Sequence, residues 1–318
     1  MRLGLFGGKG GVGKTTCASA VAVQLADAGC RTLLVSTDPA HSLCDALEQE
    51  IGPEVRKIEG VANLWALEIS AQRLFLKFKE EHGEEIKRIL ETGTYLDEGD
   101  LDDLFSLSIP GLDEVMAFKE LVELMEHGEY DLHLLDTAPT GHALRLLALP
   151  ELVDEWIRVL ARMRYKYRYV VSRFARREIH EPADDFLFTM KRAVRKIQGL
   201  LRDPDRCEFV VVTIPEGMAV AETRRLVEEL TRLKIPVQRL VVNHVVSSER
   251  GACRFCHERW QEQRGLLHEC ERTFPQLTIF KLLERPHQIK GLRRLRELQF
   301  PVSWFGELQG TLAPQGVA

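Results

Sequence analysis

Ten residues near the start of the chain, Gly7-Gly8-Lys9-Gly10-Gly11-Val12-Gly13-Lys14-Thr15-Thr16, combine glycines, two lysines and two hydroxyls at a spacing suited to a polyphosphate. Gly8, Gly10, Gly11 and Gly13, with Val12 between them, let successive backbone N–H groups turn inward around phosphate oxygens. The helix expected after them adds its positive N-terminal end. Lys14 is placed to reach the β- and γ-phosphates, and the Thr15 hydroxyl to bind Mg²⁺. Lys9 is surplus: a loop that only cradles phosphate does not need it.

Two aspartates stand at comparable places further on. Asp38, in Ser36-Thr37-Asp38-Pro39-Ala40-His41-Ser42, follows an apolar run and can orient an attacking water or hold Mg²⁺. The same Asp-Pro would also serve as a plain turn. Asp136, in Asp136-Thr137-Ala138-Pro139-Thr140-Gly141-His142, closes another apolar run, the expected place for a residue that supports Mg²⁺ through water. The loop after it can sense the γ-phosphate and move when it leaves.

These residues need a scaffold that presents strand ends at one edge. Apolar, β-rich runs at 2–6, 32–36, 63–69, 132–136, 208–213, 237–243 and 277–282 alternate with helical patterns such as 17–28 and 219–233. Continuous runs such as Phe209-Val210-Val211-Val212 suit strands buried on both faces. The fold class is therefore α/β, a doubly wound, mostly parallel sheet with ligands at the carboxyl ends of its strands. Two stretches of helical pattern, 71–128 and 152–202, exceed what one crossover helix needs. They predict a helical subdomain inserted beside the sheet, within a single domain spanning 1–318.

The 318 residues are 45% hydrophobic and 29% charged, with a net charge of −5. That balance argues against nucleic acid as the main partner. A strand starting at residue 2 and the absence of a run near membrane-spanning length predict a cytoplasmic protein without a signal peptide. Seven cysteines, odd in number and scattered, suit a reducing compartment. One pair is closely spaced: Cys253-Arg254-Phe255-Cys256-His257. A lone CxxC supplies two of the four ligands that structural zinc takes, so two chains meeting on a twofold axis would complete it. A disulfide, two inert thiols or haem attachment are the other readings of that spelling.

The glycine loop with its extra lysine, the STDPAHS and DTAPTGH segments, in this order, resemble the arsenical pump-driving and tail-anchored-protein-targeting ATPase family. Ile109-Pro110-Gly111-Leu112-Asp113-Glu114, Thr213-Ile214-Pro215-Glu216, Glu222-Thr223, Val241-Val242-Asn243 and Ile289-Lys290-Gly291-Leu292 extend the likeness along most of the chain. The resemblance implies a Mg²⁺-dependent ATPase working as a nucleotide-switched homodimer. It implies that Lys9 reaches the partner's nucleotide, that Thr16 contacts the α-phosphate and that Asp38 positions or activates water. Lys14, Thr15 and Asp136 keep the roles given above. Glu216 and Asn243 would contact the nucleoside, with Asn243 reading adenine, and the adenine-side loop falls at 283–286, ending at Pro286. Leu283 stands there in place of the family's usual proline. For Cys253 and Cys256 the resemblance implies zinc shared between two subunits.

Two cellular roles follow from the resemblance. One is delivery of a hydrophobic, tail-anchored-type membrane-protein client; the other is driving an arsenite or anion efflux permease. The single half and the CxxC favour the first. Leu74, Phe75, Phe78, Leu104, Phe105, Leu107 and Phe118 line either a client groove or a helix-packing core. Met116, Met125, Met163 and Met190 also fall in the helical stretches. A basic run with tyrosines at 158–177 and an acidic one at 97–103 read as solvated faces, with peripheral membrane contact open to the former.

Overall fold

The computed structural model describes residues 2–38, 42–70, 73, 74, 76, 77, 80, 83, 112–137, 158, 162, 182–247 and 254–305. In chain order the elements are β1 (Arg2–Gly7), α1 (Lys14–Asp27), β2 (Thr32–Ser36), α2 (Ser42–Leu47), β3 (Arg56–Lys57), β4 (Leu64–Glu68), α3 (Leu112–His127), β5 (Leu132–Asp136), α4 (Pro182–Arg202), β6 (Cys207–Thr213), α5 (Gly217–Arg232), β7 (Val237–Val245), α6 (Arg254–Thr273), β8 (Thr278–Leu283), α7 (Gly291–Arg296) and a 3₁₀ turn (Val302–Phe305).

The eight strands form one sheet in the order β3-β4-β2-β5-β1-β6-β7-β8. Seven run parallel, as their apolar composition predicts; only the two-residue β3 pairs antiparallel, with β4. From β1 the chain winds out through β2 and β4, returns to insert β5, then crosses to β6, β7 and β8. The winding reverses beside β1, where ligands bind in open sheets of this kind. Register sets the site: Phe6 lies opposite Asp136, and Asp136 opposite Ser36. The ends of β1, β5 and β2 therefore reach one edge at one level.

The core follows the sequence pattern. Leu33, Leu34, Leu134, Phe209, Val210 and Val212 are wholly buried. α1 is buried almost all round, with Cys17, Ala18, Val21, Ala22 and Leu25 inside. α5 buries Ala219, Val220, Thr223, Leu226, Val227 and Leu230, the three-and-four spacing of a one-faced helix. Thr223 Oγ1 donates to Thr213 Oγ1 at 2.9 Å and pins that helix to the end of β6.

The last described segment packs against the first strand. Phe280, Phe300 and Trp304 stack together, with ring centroids 5.0 to 5.2 Å apart. The Phe305 ring occupies the place a side chain on Gly4 would need. Arg2 donates to the Phe305 carbonyl, and Arg239 pairs with the buried Glu208 while lying 5.5 Å from the Trp304 ring centre.

The chain divides into two compact units. The first, 1–69, 124–144 and 201–318, holds the whole sheet. The second comprises 70–123 and 145–200, and its described part is helical, with Phe118, Leu121, Val194 and Ile197 buried. Within the proposed groove stripe, Phe118 is thus buried and Leu74 half-buried, while Phe75, Phe78, Leu104, Phe105 and Leu107 lie outside the described residues. So do the acidic run and, apart from Arg158 and Arg162, the basic one. Among the described residues, no helix is long and apolar enough to cross a membrane.

Candidate functional site

The glycine loop leaves β1 at Gly7 and enters α1 at Lys14. Two of its glycines are dictated by space. A Cβ on Gly8 would stand 2.0 Å from the Val212 carbonyl oxygen. Gly13 has φ of 94°, and a Cβ there would meet the Asn243 amide nitrogen at 2.4 Å. No other residue type fits both the turn and the contact. Gly10 and Gly11 face solvent, and Val12 is buried beneath the loop. Thr16, half-buried, lies in the first turn of α1.

Lys14 is almost buried, and its ammonium donates to the Lys9 carbonyl at 3.3 Å. Burial lowers its pKa, while the Asp136 and Asp38 carboxylates beside it oppose that shift. Lys9 points elsewhere. Its ammonium lies 4.0 Å from Glu222 on α5, both side chains being about a third exposed. So loose a pair contributes little and is easily given up.

Asp136 ends β5 with no exposure to solvent. Thr15 Oγ1 lies 2.6 Å from Asp136 Oδ2 and 3.2 Å from Ser42 Oγ. A hydroxyl has one proton, so Thr15 gives it to the carboxylate and can accept from Ser42. Burial pushes the Asp136 carboxyl up to about 7, and the Asp38 carboxylate adds to this; Thr15, Lys14 and Ser42 pull it down. Asp136 Oδ1 is buried with no hydrogen-bond partner among the described residues. Two hydroxyls and one carboxylate, whose Oδ1 is the unserved oxygen, are hard oxygen donors of the kind that suits Mg²⁺. The residues present therefore fit that ion.

The ends of the strands are tied into this cluster. Thr137 donates from both its N–H and its hydroxyl to the Phe6 carbonyl, and the Thr37 N–H donates to the Asp136 carbonyl. The Asp38 N–H donates to Ser36 Oγ at 3.1 Å, holding the turn that carries its half-buried carboxylate. Asp38, Asp136, Lys14 and Thr15 are thus brought together. The remainder of STDPAHS before Ser42, and of DTAPTGH after Thr137, lies outside the described residues. Ser42 carries no signal in the sequence beyond its place as first residue of a helix four positions after Asp38.

The nucleoside side is more open. Glu216 caps α5 through its backbone and is exposed, its side chain making no cap bond. Asn243 Nδ2 donates to the Val12 carbonyl at 3.0 Å. Pro286 is exposed just beyond β8. Cys256 lies half-buried in the first turn of α6, while Cys253 lies outside the described residues. Among the described residues, no three His, Cys, Asp or Glu side chains group as a metal site.

A glycine loop between a central strand and a helix, followed by two carboxylates at neighbouring strand ends, defines a P-loop nucleoside triphosphatase. The sequence matches the family model of the anion-transporting ATPases over residues 1–301. It is 36% identical over 313 residues to the ATPase GET3C of Arabidopsis thaliana, spanning 93% of this chain and 80% of that protein. It is 34% identical over 299 residues to the ATPase ASNA1 homolog 1 of Paramecium tetraurelia, spanning 92% and 89%. It is 30% identical over 303 residues to the ATPase get3 of Pyrenophora tritici-repentis, spanning 92% and 88%. The chain belongs to the anion-transporting ATPase family and is an ATPase of its GET3-type and ASNA1-type relatives' kind.

Proposed function

We propose that this ATPase works as a Mg²⁺-dependent, nucleotide-switched homodimer that couples ATP binding to capture and delivery of a hydrophobic, tail-anchored-type membrane-protein client. The observation that carries the enzymatic part is the convergence of Lys14, Thr15, Ser42, Asp38 and Asp136 at one edge of the sheet. ATP lies along residues 8–16, its phosphates held by backbone N–H groups and Lys14. Thr15 and Asp136 hold Mg²⁺, which when bound neutralises charge on the phosphate oxygens. Asp38 orients the attacking water. Thr16 contacts the α-phosphate, and Glu216, Asn243 and Pro286 border the nucleoside. Catalysis is positioning plus electrostatics, since phosphoryl transfer needs little covalent help. Lys9 leaves Glu222 for the partner's nucleotide when two chains close. Cys253 and Cys256 hold zinc jointly with their copies in the partner.

Asp38→Asn tests the catalytic assignment. Its isosteric amide keeps the fold and nucleotide affinity but loses the charge, and turnover is expected to fall on the order of a hundredfold or more. Near-normal turnover with normal affinity would remove Asp38 from the reaction.

The client reading draws on the GET3-type relatives and on exposed apolar side chains in the helical unit, Leu76 and Phe188. Cys17, Cys30, Cys207 and Cys270 are buried, which suits core residues better than the thiol site of an arsenite-responsive pump. The discriminating experiment offers the purified protein an apolar helical peptide of roughly 20 residues, and separately arsenite. ATP-dependent peptide capture without arsenite stimulation supports client delivery. Stimulated turnover without capture supports the permease-driving role instead.

A further inference from the structure

We infer that Asn243 is a positioning residue for the phosphate loop, held in place by Gln263, so that one amide joins base recognition to the phosphate cradle.

The geometry begins at the loop. Val12 lies wholly buried under it, and its carbonyl accepts a hydrogen bond from Asn243 Nδ2 at 3.0 Å. A carbonyl accepts and cannot donate, so this contact fixes which way the amide faces. The same nitrogen crowds Gly13, whose Cβ it would leave no room for. Gly13 is the left-handed residue that turns the loop into α1, and its own carbonyl accepts the Cys17 N–H at 2.9 Å. Asn243 is therefore wedged against the two residues immediately before Lys14. Loss of its amide would free the turn that aims the Lys14 side chain and the first helical N–H groups.

The wedge needs an abutment, and β7 supplies one with help. Next in the chain, His244 has φ of 56°, a left-handed conformation that a non-glycine residue adopts at a cost of about 1 kcal/mol. The pairing of β7 with β8 shifts register between Val242 and Val245. Across this kink sits Gln263 of α6, 3% exposed. Its Oε1 accepts the Val246 N–H at 2.8 Å, and its Nε2 donates to the His244 carbonyl at 3.1 Å. Both ends of a buried amide are spent on holding the strand's bend, the bend that presents Asn243 to the loop.

An asparagine amide has two N–H groups and one carbonyl. One N–H is committed to Val12, which leaves one N–H and the carbonyl for a base edge. Reading a base through such a group also loads the loop beneath it. The inference rests on the reading of residues 8–16 as a triphosphate cradle.

The test uses inorganic tripolyphosphate with Mg²⁺, a ligand with no base, alongside ATP, and reads affinity by calorimetry. Amide exchange of the 7–16 peptide is followed in ligand-free protein. Asn243→Ala is expected to weaken tripolyphosphate and ATP alike by about tenfold and to speed exchange of the loop. Gln263→Met, of similar volume, is expected to show the same pattern at about threefold. If Asn243→Ala weakens ATP alone and leaves tripolyphosphate and loop exchange unchanged, Asn243 reads the base only and the inference is overturned. Should Asn243→Ala fail to fold, Gln263→Met decides: unchanged tripolyphosphate affinity and loop exchange overturn the inference. Failure of the unaltered protein to bind tripolyphosphate overturns the cradle reading first, and this one with it.

Discussion

His133 lies in the middle of β5, wholly buried, with the Tyr130 ring edge-on at 5.7 Å, the Arg2 backbone nearby, and, among the described residues, no well-formed hydrogen bond at either ring nitrogen. Burial opposes its charge and pushes its pKa down to about 4 from 6.5. The unfolded chain therefore takes up this proton as pH falls through 6.5, while the folded chain refuses it until about 4. Stability from this group is complete above the first value and is lost progressively between the two. We expect about 2 kcal/mol less stability at about pH 5 than at about pH 7.5 from His133 alone. Urea unfolding at both pH values should show His133→Leu losing less stability on acidification than the unaltered protein by that amount. An equal loss in both would mean that His133 is already served by a partner or by water. Nothing in the sequence advertised this histidine. It reads as one polar residue in an apolar run, and its isolation exists only once β1 and β2 close on either side.

The elements differ in how openly they declare themselves. α5 and the seven parallel strands are legible because apolar periodicity and burial coincide. β3 was not, since Arg56 and Lys57 are both exposed and carry no apolar signal. β7 runs on to Val245, past the apolar run ending at Asn243, because Gln263 holds its polar end from another helix. α1 begins at Lys14 rather than Cys17, its first turn hidden by residues chosen for phosphate rather than for the core. The same division marks the candidate site: the loop and both aspartates were readable from spacing, whereas Ser42 and the Val12–Asn243 contact required the folded chain. The junction between β1 and its loop offers a sharp check. Gly8→Ala places a methyl against the Val212 backbone of β6, which cannot retreat without breaking the sheet. A cost on the order of 2–4 kcal/mol is expected, read as a lowered denaturation midpoint. Gly11→Ala has open space in front of its Cβ and only its positive φ to contend with, so it should cost less. Equal costs would show that strain, rather than collision, governs the loop.

At the scale of the whole molecule, two proposals concern what a second chain contributes. Lys9, paired only loosely with Glu222, is free to be recruited elsewhere. Mixing Lys9→Ala chains with Lys14→Ala chains should restore part of the turnover that each lacks alone, because a mixed dimer has one site with an intact Lys14 and a partner's Lys9. Mixed dimers that form yet stay inactive would place the need for Lys9 within its own chain. Zinc is the other shared element. Four tetrahedral ligands from two CxxC pairs predict about one zinc per two chains. Double substitution of Cys253 and Cys256 by serine should release it and weaken self-association while sparing nucleotide affinity. Metal-free dimers with both pairs closed as disulfides under reducing conditions would refute the shared site.

The contact between the ends of the described chain has a consequence in time. β1 is synthesised long before the 3₁₀ turn, yet its Arg2 side chain finds its carbonyl partner in Phe305, whose ring also shares with Leu134 the filling of the hollow at Gly4. At roughly 5–20 residues per second, about 15 to 60 seconds of synthesis separate the two. Through that interval the central strand of the sheet can pair with β5 and later β6, but its face at Gly4 has only Leu134 of β5 against it and lacks the Phe305 ring. A nascent chain stalled short of the 3₁₀ turn is therefore a body whose sheet has formed without its last aromatic cover, and it is expected to be taken up by holdases and proteases more readily than the finished chain.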